Sequence, residues 1–128
     1  MKYKEPGPWD DEPDSDAFEE HGLECQMMRT VVGHWCGYVV SPKSIDGADV
    51  VVDVHGGVTW DSDRLPWESR TRGIDVQVIG FDCGHPGDAS PKNASALPGE
   101  TYRTYEYAKA ETVRLAKQVA QILDGMEN

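Results

Sequence analysis

A chain of 128 residues, 27% charged and 38% hydrophobic, suits one domain that buries a single core without disulfide staples. Its formal charge of −11, with no Lys/Arg cluster to offset it, argues against duplex DNA or RNA as a partner, because an acidic field repels phosphate backbones. No leader-like start is visible and no apolar run approaches the ~18 residues of a membrane span; three cysteines, an odd number, suit the reducing cytoplasm.

Residues 1–20 carry eight carboxylates and two lysines, together with Pro6, Gly7, Pro8 and Pro13. Such composition predicts a solvated, flexible acidic arm over 1–20, followed by a single α+β domain over 21–128. Trp9 and Phe18 are the side chains with which that arm would anchor on a partner, so an interaction inhibitor is one functional reading. Strand patterning begins with Cys25–Val32, turns at Gly33-His34, and returns through Trp35–Val40, a hairpin. Ala48–Val54 is short and β-branched, and Val58-Thr59-Trp60 follows Gly56-Gly57 as another strand. The stretch from Trp60 to Gly73 has no period and reads as a loop. Ile74–Phe81 nearly alternates and predicts a further strand, after which a Gly/Pro-bearing loop runs to Gly99. Tyr105, Ala108, Thr112, Leu115, Val119 and Ile122 recur at spacings of three and four, the stripe of a C-terminal helix capped by Thr104 and ended at Gly125. The expected fold is α+β: an antiparallel meander of about four or five strands packed by that one helix.

Chemistry concentrates in two loops, Asp53-Val54-His55-Gly56-Gly57 and Asp82-Cys83-Gly84-His85-Pro86-Gly87-Asp88. Histidine titrates near neutrality, and loops at strand ends are where sites are built. His55 and His85, with Asp82 or Asp88 to fix an imidazole tautomer, are therefore the candidate acid–base groups. Gly56 and Gly57 offer amides for an anion, Tyr38 and Trp60 offer faces for a flat ring, and Arg103 offers a fork for phosphate or carboxylate. Each also has a plainer reading, as turn glycine, core aromatic or surface charge. His34, Cys36 and Cys83 add ligand types that zinc uses. No CxxC, HxxxH or HExxH spacing accompanies them, so neither a metal nor another cofactor is implied. Cys83 as nucleophile competes with a buried thiol at a strand end, and Cys36 belongs to packing.

The ordered words Gly33-His34-Trp35-Cys36-Gly37-Tyr38-Val39, Asp53-Val54-His55-Gly56-Gly57-Val58-Thr59 and Gly80-Phe81-Asp82-Cys83-Gly84-His85-Pro86-Gly87-Asp88, with Tyr102-Arg103-Thr104-Tyr105-Glu106-Tyr107, Lys109 and Glu111, resemble a family of small proteins of tailed phages and bacteria. The resemblance spans about residues 23 to 123 and implies no particular activity; the acidic arm and the Asp61–Gly73 stretch lie apart from it. Two small-molecule readings remain open. One is capture of a nucleotide-like ligand, such as a host defence signal, at the glycine/His loops. The other is a His/Asp-dependent hydrolase or phosphodiesterase acting on such a molecule. A homo-oligomer through the helix and its tyrosines is a further expectation.

Overall fold

Strands form where apolar and polar residues alternate, since a strand offers successive side chains to opposite faces. The computed structural model describes residues 6–92 and 98–127. Its strands are β1 (Ser15–Glu20), β2 (Leu23–Arg29), β3 (Trp35–Ser41), β4 (Trp60–Ser62) and β5 (Gln77–Asp82). They form one sheet in the order β1-β2-β3-β5-β4, antiparallel at every pairing. A single turn α1 (Ala48–Val51) follows β3, and the long helix α2 (Tyr105–Met126) ends the fold. The α+β meander packed by a C-terminal helix is thus the fold of this chain.

One sheet face carries Cys25 and Met27 of β2, Trp35 and Val39 of β3, and Ile79 and Phe81 of β5. They are buried against Ala108, Leu115, Ala116 and Val119 of α2. Thr112 sits within that stripe without leaving an orphan hydroxyl, because it donates to the Ala108 carbonyl at 2.8 Å. Gly37 leaves the space that Thr112 and Phe81 occupy, so the helix can lie close on β3. The opposite face buries Cys36, Tyr38 and Val78 beneath Leu65, with Val40 and Trp60 at its margin. A loop, not a helix, covers this second core.

Several boundaries differ from the pattern. Of the expected flexible arm, residues 1–5 lie outside the described residues, but 8–11 form a 3-10 turn and 15–20 pair along the whole of β2 as β1. Ala17 and Phe18 are embedded in acidic residues, so composition hides the strand, while the exposed edge of β2 supplies the missing pairing. Ala48–Val54 is not a strand. Gly47, in the left-handed region at φ 67°, starts a helical turn there, and β3 already has neighbours on both sides. The strand expected at Val58 begins at Trp60 and reaches into the expected loop. β5 starts at Gln77 because Asp75 turns the backbone at φ 70° and leaves Ile74 exposed. The β2–β3 turn opens earlier than expected, with Gly33 N donating to Thr30 O at 2.9 Å. Thr104 caps α2 by accepting from Tyr107 N, whereas Gly125 does not stop the helix, which continues to Met126. The expected loop to Gly99 lies partly outside the described residues.

Candidate functional site

Asp82 closes β5, and its carboxylate shapes the loop beyond the strand. Oδ2 accepts from Gly84 N at 3.1 Å, and Oδ1 accepts from the Thr59 hydroxyl at 2.8 Å. The next turn is closed reciprocally: Asp88 N donates to His85 O at 2.9 Å, and His85 N donates to Asp88 Oδ2 at 3.1 Å. Gly87 makes this turn possible with φ 93°. Thr101 N then donates to Gly87 O and Ala89 N to Thr101 O, both at 2.8 Å, which draws the lead-in to α2 alongside Asp88.

The first loop is fastened to α2. His55 N donates to Glu111 Oε1 at 2.8 Å, and Gln118 both accepts from Asp53 N and donates to Asp53 O. Arg114 grips Glu111 at 2.9 and 3.0 Å and reaches Asp53 Oδ2 at 3.0 Å. The two loops consequently meet. His55 Nε2 lies 2.8 Å from Asp88 Oδ2, and the His55 and His85 ring centroids are 6.0 Å apart. Gly56 lies against the His85 ring, leaving no room there for a Cβ.

Two helix-side residues complete the cluster. The Tyr107 hydroxyl is 2.7 Å from His55 Nδ1, and Arg103 Nε donates to Asp88 Oδ1 at 2.8 Å. The Arg103 guanidinium also lies 5.2 Å from the Tyr107 ring centroid. The result is a continuous line, Arg103–Asp88–His55–Tyr107. Its inner carboxylate is 2% exposed, whereas Tyr107 is 37% exposed. A carboxylate accepts only, so Asp88 fixes the proton of a neutral His55 on Nε2 and leaves Nδ1 to accept from Tyr107.

Burial pushes the Asp88 carboxyl up, but bonds from Arg103, His55 and the His85 amide outweigh it and hold the group below its ordinary range. Glu111 behaves alike: burial raises it, while bonds from Arg114 and the His55 amide outweigh that and hold it below its ordinary range. Burial raises the Tyr107 phenol and so keeps it protonated. Desolvation lowers His34, whose Nδ1 is 2.9 Å from the Ser90 hydroxyl and whose ring lies against Gly84. Burial drives the Cys83 thiol far upward, and its side chain belongs to the main core. A nucleophilic Cys83 has no support in that setting.

Of the residues expected from sequence, His55, His85, Asp82, Asp88, Gly56 and Arg103 come together. His85 Nε2 is 3.3 Å from Asp82 Oδ1 but off the hydrogen-bonding direction, so it is buried without a bonded partner. Gly57 serves differently: its amide donates to Val54 O at 2.8 Å, and the His55 amide is held by Glu111. The Gly57 and His55 N–H groups are thus engaged within the protein. Tyr38 and Trp60 sit in the second core, where Tyr38 packs edge-on to Trp60 and Trp67, and Trp60 Nε1 donates to Arg64 O. They are packing residues on the sheet face away from α2. Tyr107, Glu111, Arg114 and Gln118 do not stand out as site residues in the sequence. Tyr107 and Glu111 belong to the words that carry the resemblance, and all four lie on a polar stripe, Arg103, Tyr107, Glu111, Arg114, Gln118, at spacings of four, four, three and four beside the apolar one. Among the described residues no group of three or more His, Cys, Asp or Glu is arranged to hold a metal ion. No helix among them is long and apolar enough to cross a membrane. No protein-family model matches the chain, and no curated protein or solved structure matches it either.

Proposed function

We propose that the His55–Asp88 end of the sheet is an acid–base site for a small anionic, nucleotide-like molecule, with hydrolysis of a phosphoester-type bond as the reaction. The observation that carries this reading is the line Arg103–Asp88–His55–Tyr107, buried at its carboxylate and open at its phenol. A buried Asp that orients an imidazole stabilises the imidazolium formed when the ring takes a proton. Here the base is Nδ1, and the protonated Tyr107 hydroxyl is the group that passes a proton between it and the ligand. Arg103 spends only Nε on Asp88; among the described residues its two terminal nitrogens hold no hydrogen bond, a fork suited to an oxyanion. His85 packs on Gly56 and shapes the floor.

Capture without turnover is the second reading. It is favoured by His55 having both ring nitrogens already bonded within the protein, as a rigid recognition surface would. Under either reading the ligand's flat ring meets Tyr107 or His85 and not Tyr38 or Trp60. Three free, buried cysteines support a cytoplasmic setting; a host defence signal as the ligand rests on analogy with other small phage proteins alone. A homo-oligomer would form through the exposed Val50, Val51 and Met126; light scattering that gives a monomer for both the wild type and Val51→Glu removes it.

The deciding experiment incubates the protein with cyclic nucleotides and ADP-ribose derivatives and follows both thermal shift and product. Turnover that disappears in His55→Gln and Tyr107→Phe is the expected result. Stoichiometric binding with the ligand recovered intact transfers the site to capture. Neither shift nor product across the series refutes both.

A further inference from the structure

The acidic N-terminal segment is not a loose tail at the point where it passes the site. Its Glu12 side chain is 9% exposed and lies against the start of α2. Oε1 accepts from the Tyr102 hydroxyl at 2.6 Å and from Trp35 Nε1 at 3.0 Å, and Oε2 accepts from Tyr105 N at 2.8 Å. Arg29 reaches the same carboxylate at 3.9 Å and ties the segment down by donating to Trp9 O at 2.8 Å and Glu12 O at 3.1 Å. The Trp9 ring meets Tyr102 edge-on at 5.0 Å.

We infer that Glu12 is a positioning residue for Arg103, resting on the reading of Arg103 as the ligand's anion fork. Two of its three bonded donors, on Tyr102 and Tyr105, bracket Arg103 and Thr104 in the chain. The backbone of the fork is therefore clamped on both sides by one carboxylate delivered from about ninety positions earlier in sequence, as the separations of 90 and 93 residues show. A carboxylate is the one side chain that suits this place. It can accept from a phenol, an indole and an amide together, and a negative charge at the first turn of a helix is favoured by the unpaired amides there. Glutamine keeps the shape but turns one acceptor into a donor facing donors. The clamp then opens on the side of Tyr102 or of Tyr105, and Arg103 loses its fixed approach to Asp88.

The test reads Arg103 directly and needs no ligand. In wild type the Arg103 Nε–H, held by Asp88, gives a distinct and slowly exchanging nitrogen-detected NMR signal, and the His55 ring nitrogens report which of them carries the proton. In Glu12→Gln the Arg103 signal shifts and exchanges about tenfold faster, as when one hydrogen bond's worth of local protection is lost. Tyr102→Phe, which removes a single hydroxyl and spares the fold, moves the same signal in the same direction by less. Asp14→Asn, which weakens the Arg29 anchor of the segment (2.7 Å) without touching Glu12, leaves Arg103 unchanged. Wild-type Arg103 signals in both Glu12→Gln and Tyr102→Phe overturn the inference, as does an equal response in Asp14→Asn. Absence of any activity in the wild type would defeat the acid–base reading and leave this measurement standing.

Discussion

Asp88→Asn isolates the charge at the centre of the site while keeping its volume. The carboxylate receives three bonds, from Arg103 Nε and His55 Nε2 at 2.8 Å and from His85 N at 3.1 Å. An asparagine whose oxygen takes the Oδ2 place still serves His55 and His85. Its NH2 then faces Arg103 Nε, donor against donor. One charge-assisted bond is lost, which is about 1.5–3 kcal/mol. Removing one partner of a fully buried pair costs about 3–5 kcal/mol, an upper bound here because Arg103 is 30% exposed and can turn to water. The expected loss is therefore about 2 kcal/mol. For a chain of this size that is a fall in Tm of roughly 8 °C. Urea unfolding at neutral pH measures it, and Asp88→Asn combined with Arg103→Gln should cost less than the sum of the two singles. A single-variant loss below about 0.5 kcal/mol, or full additivity in the double variant, would refute the bonded line.

Acid should destabilise the fold in two stages. His34 is held below its ordinary 6.5 by burial, so its contribution is complete above that value and is lost as pH falls through the folded-state value. Asp88 and Glu111 are held below 3.8 and 4.5, so their contribution is complete above those values and fades on further acidification. Urea midpoints followed from neutral pH downward should show both stages, and His34→Asn should abolish the first alone; an unchanged profile in that variant counts against it. Gly56→Ala places a Cβ at φ 68° into the His85 ring and should cost about 1–3 kcal/mol in the same assay; a neutral result would mean the ring lies elsewhere. Tyr107→Phe, at a side chain 37% exposed, should change stability by less than about 1 kcal/mol yet remove turnover; retained turnover would take the phenol out of the proton path.

How far an element can be read from the sequence depends on where its residues find their energy. β2, β3, β5 and α2 are legible because their own apolar side chains fill the core, and a core-filling period is visible in one dimension. β1 is not. Its burial alternates through Asp16, Ala17, Phe18, Glu19 and Glu20, and its stability comes from backbone pairing with β2 together with the bonds Asp16 accepts from Tyr105 and Lys109. The two candidate loops are legible as glycine-shaped turns with His and Asp. Their convergence is not, because it depends on Glu111 and Gln118 of α2, whose polar stripe looks like an ordinary solvated helix face. The aromatics mislead for a related reason. Tyr38 and Trp60 sit at strand positions whose face is decided only once Leu65 and its loop fold over them. Deleting residues 1–20 is likewise no neutral truncation, since it takes away β1 and Glu12 together.

β1 is also the last strand on its side of the sheet, so among the described residues no strand pairs with its outer row of backbone groups. Such a row is a template on which a second chain can add itself. A copy pairing antiparallel there in the symmetric register would set Asp16 of each chain opposite Glu19 of the other, with Glu20 and Asp14 close behind. The acidity of the first twenty residues thus insulates an open sheet edge, discouraging chain-to-chain propagation at neutral pH. The insulation weakens as salt screens those carboxylates or acid neutralises them.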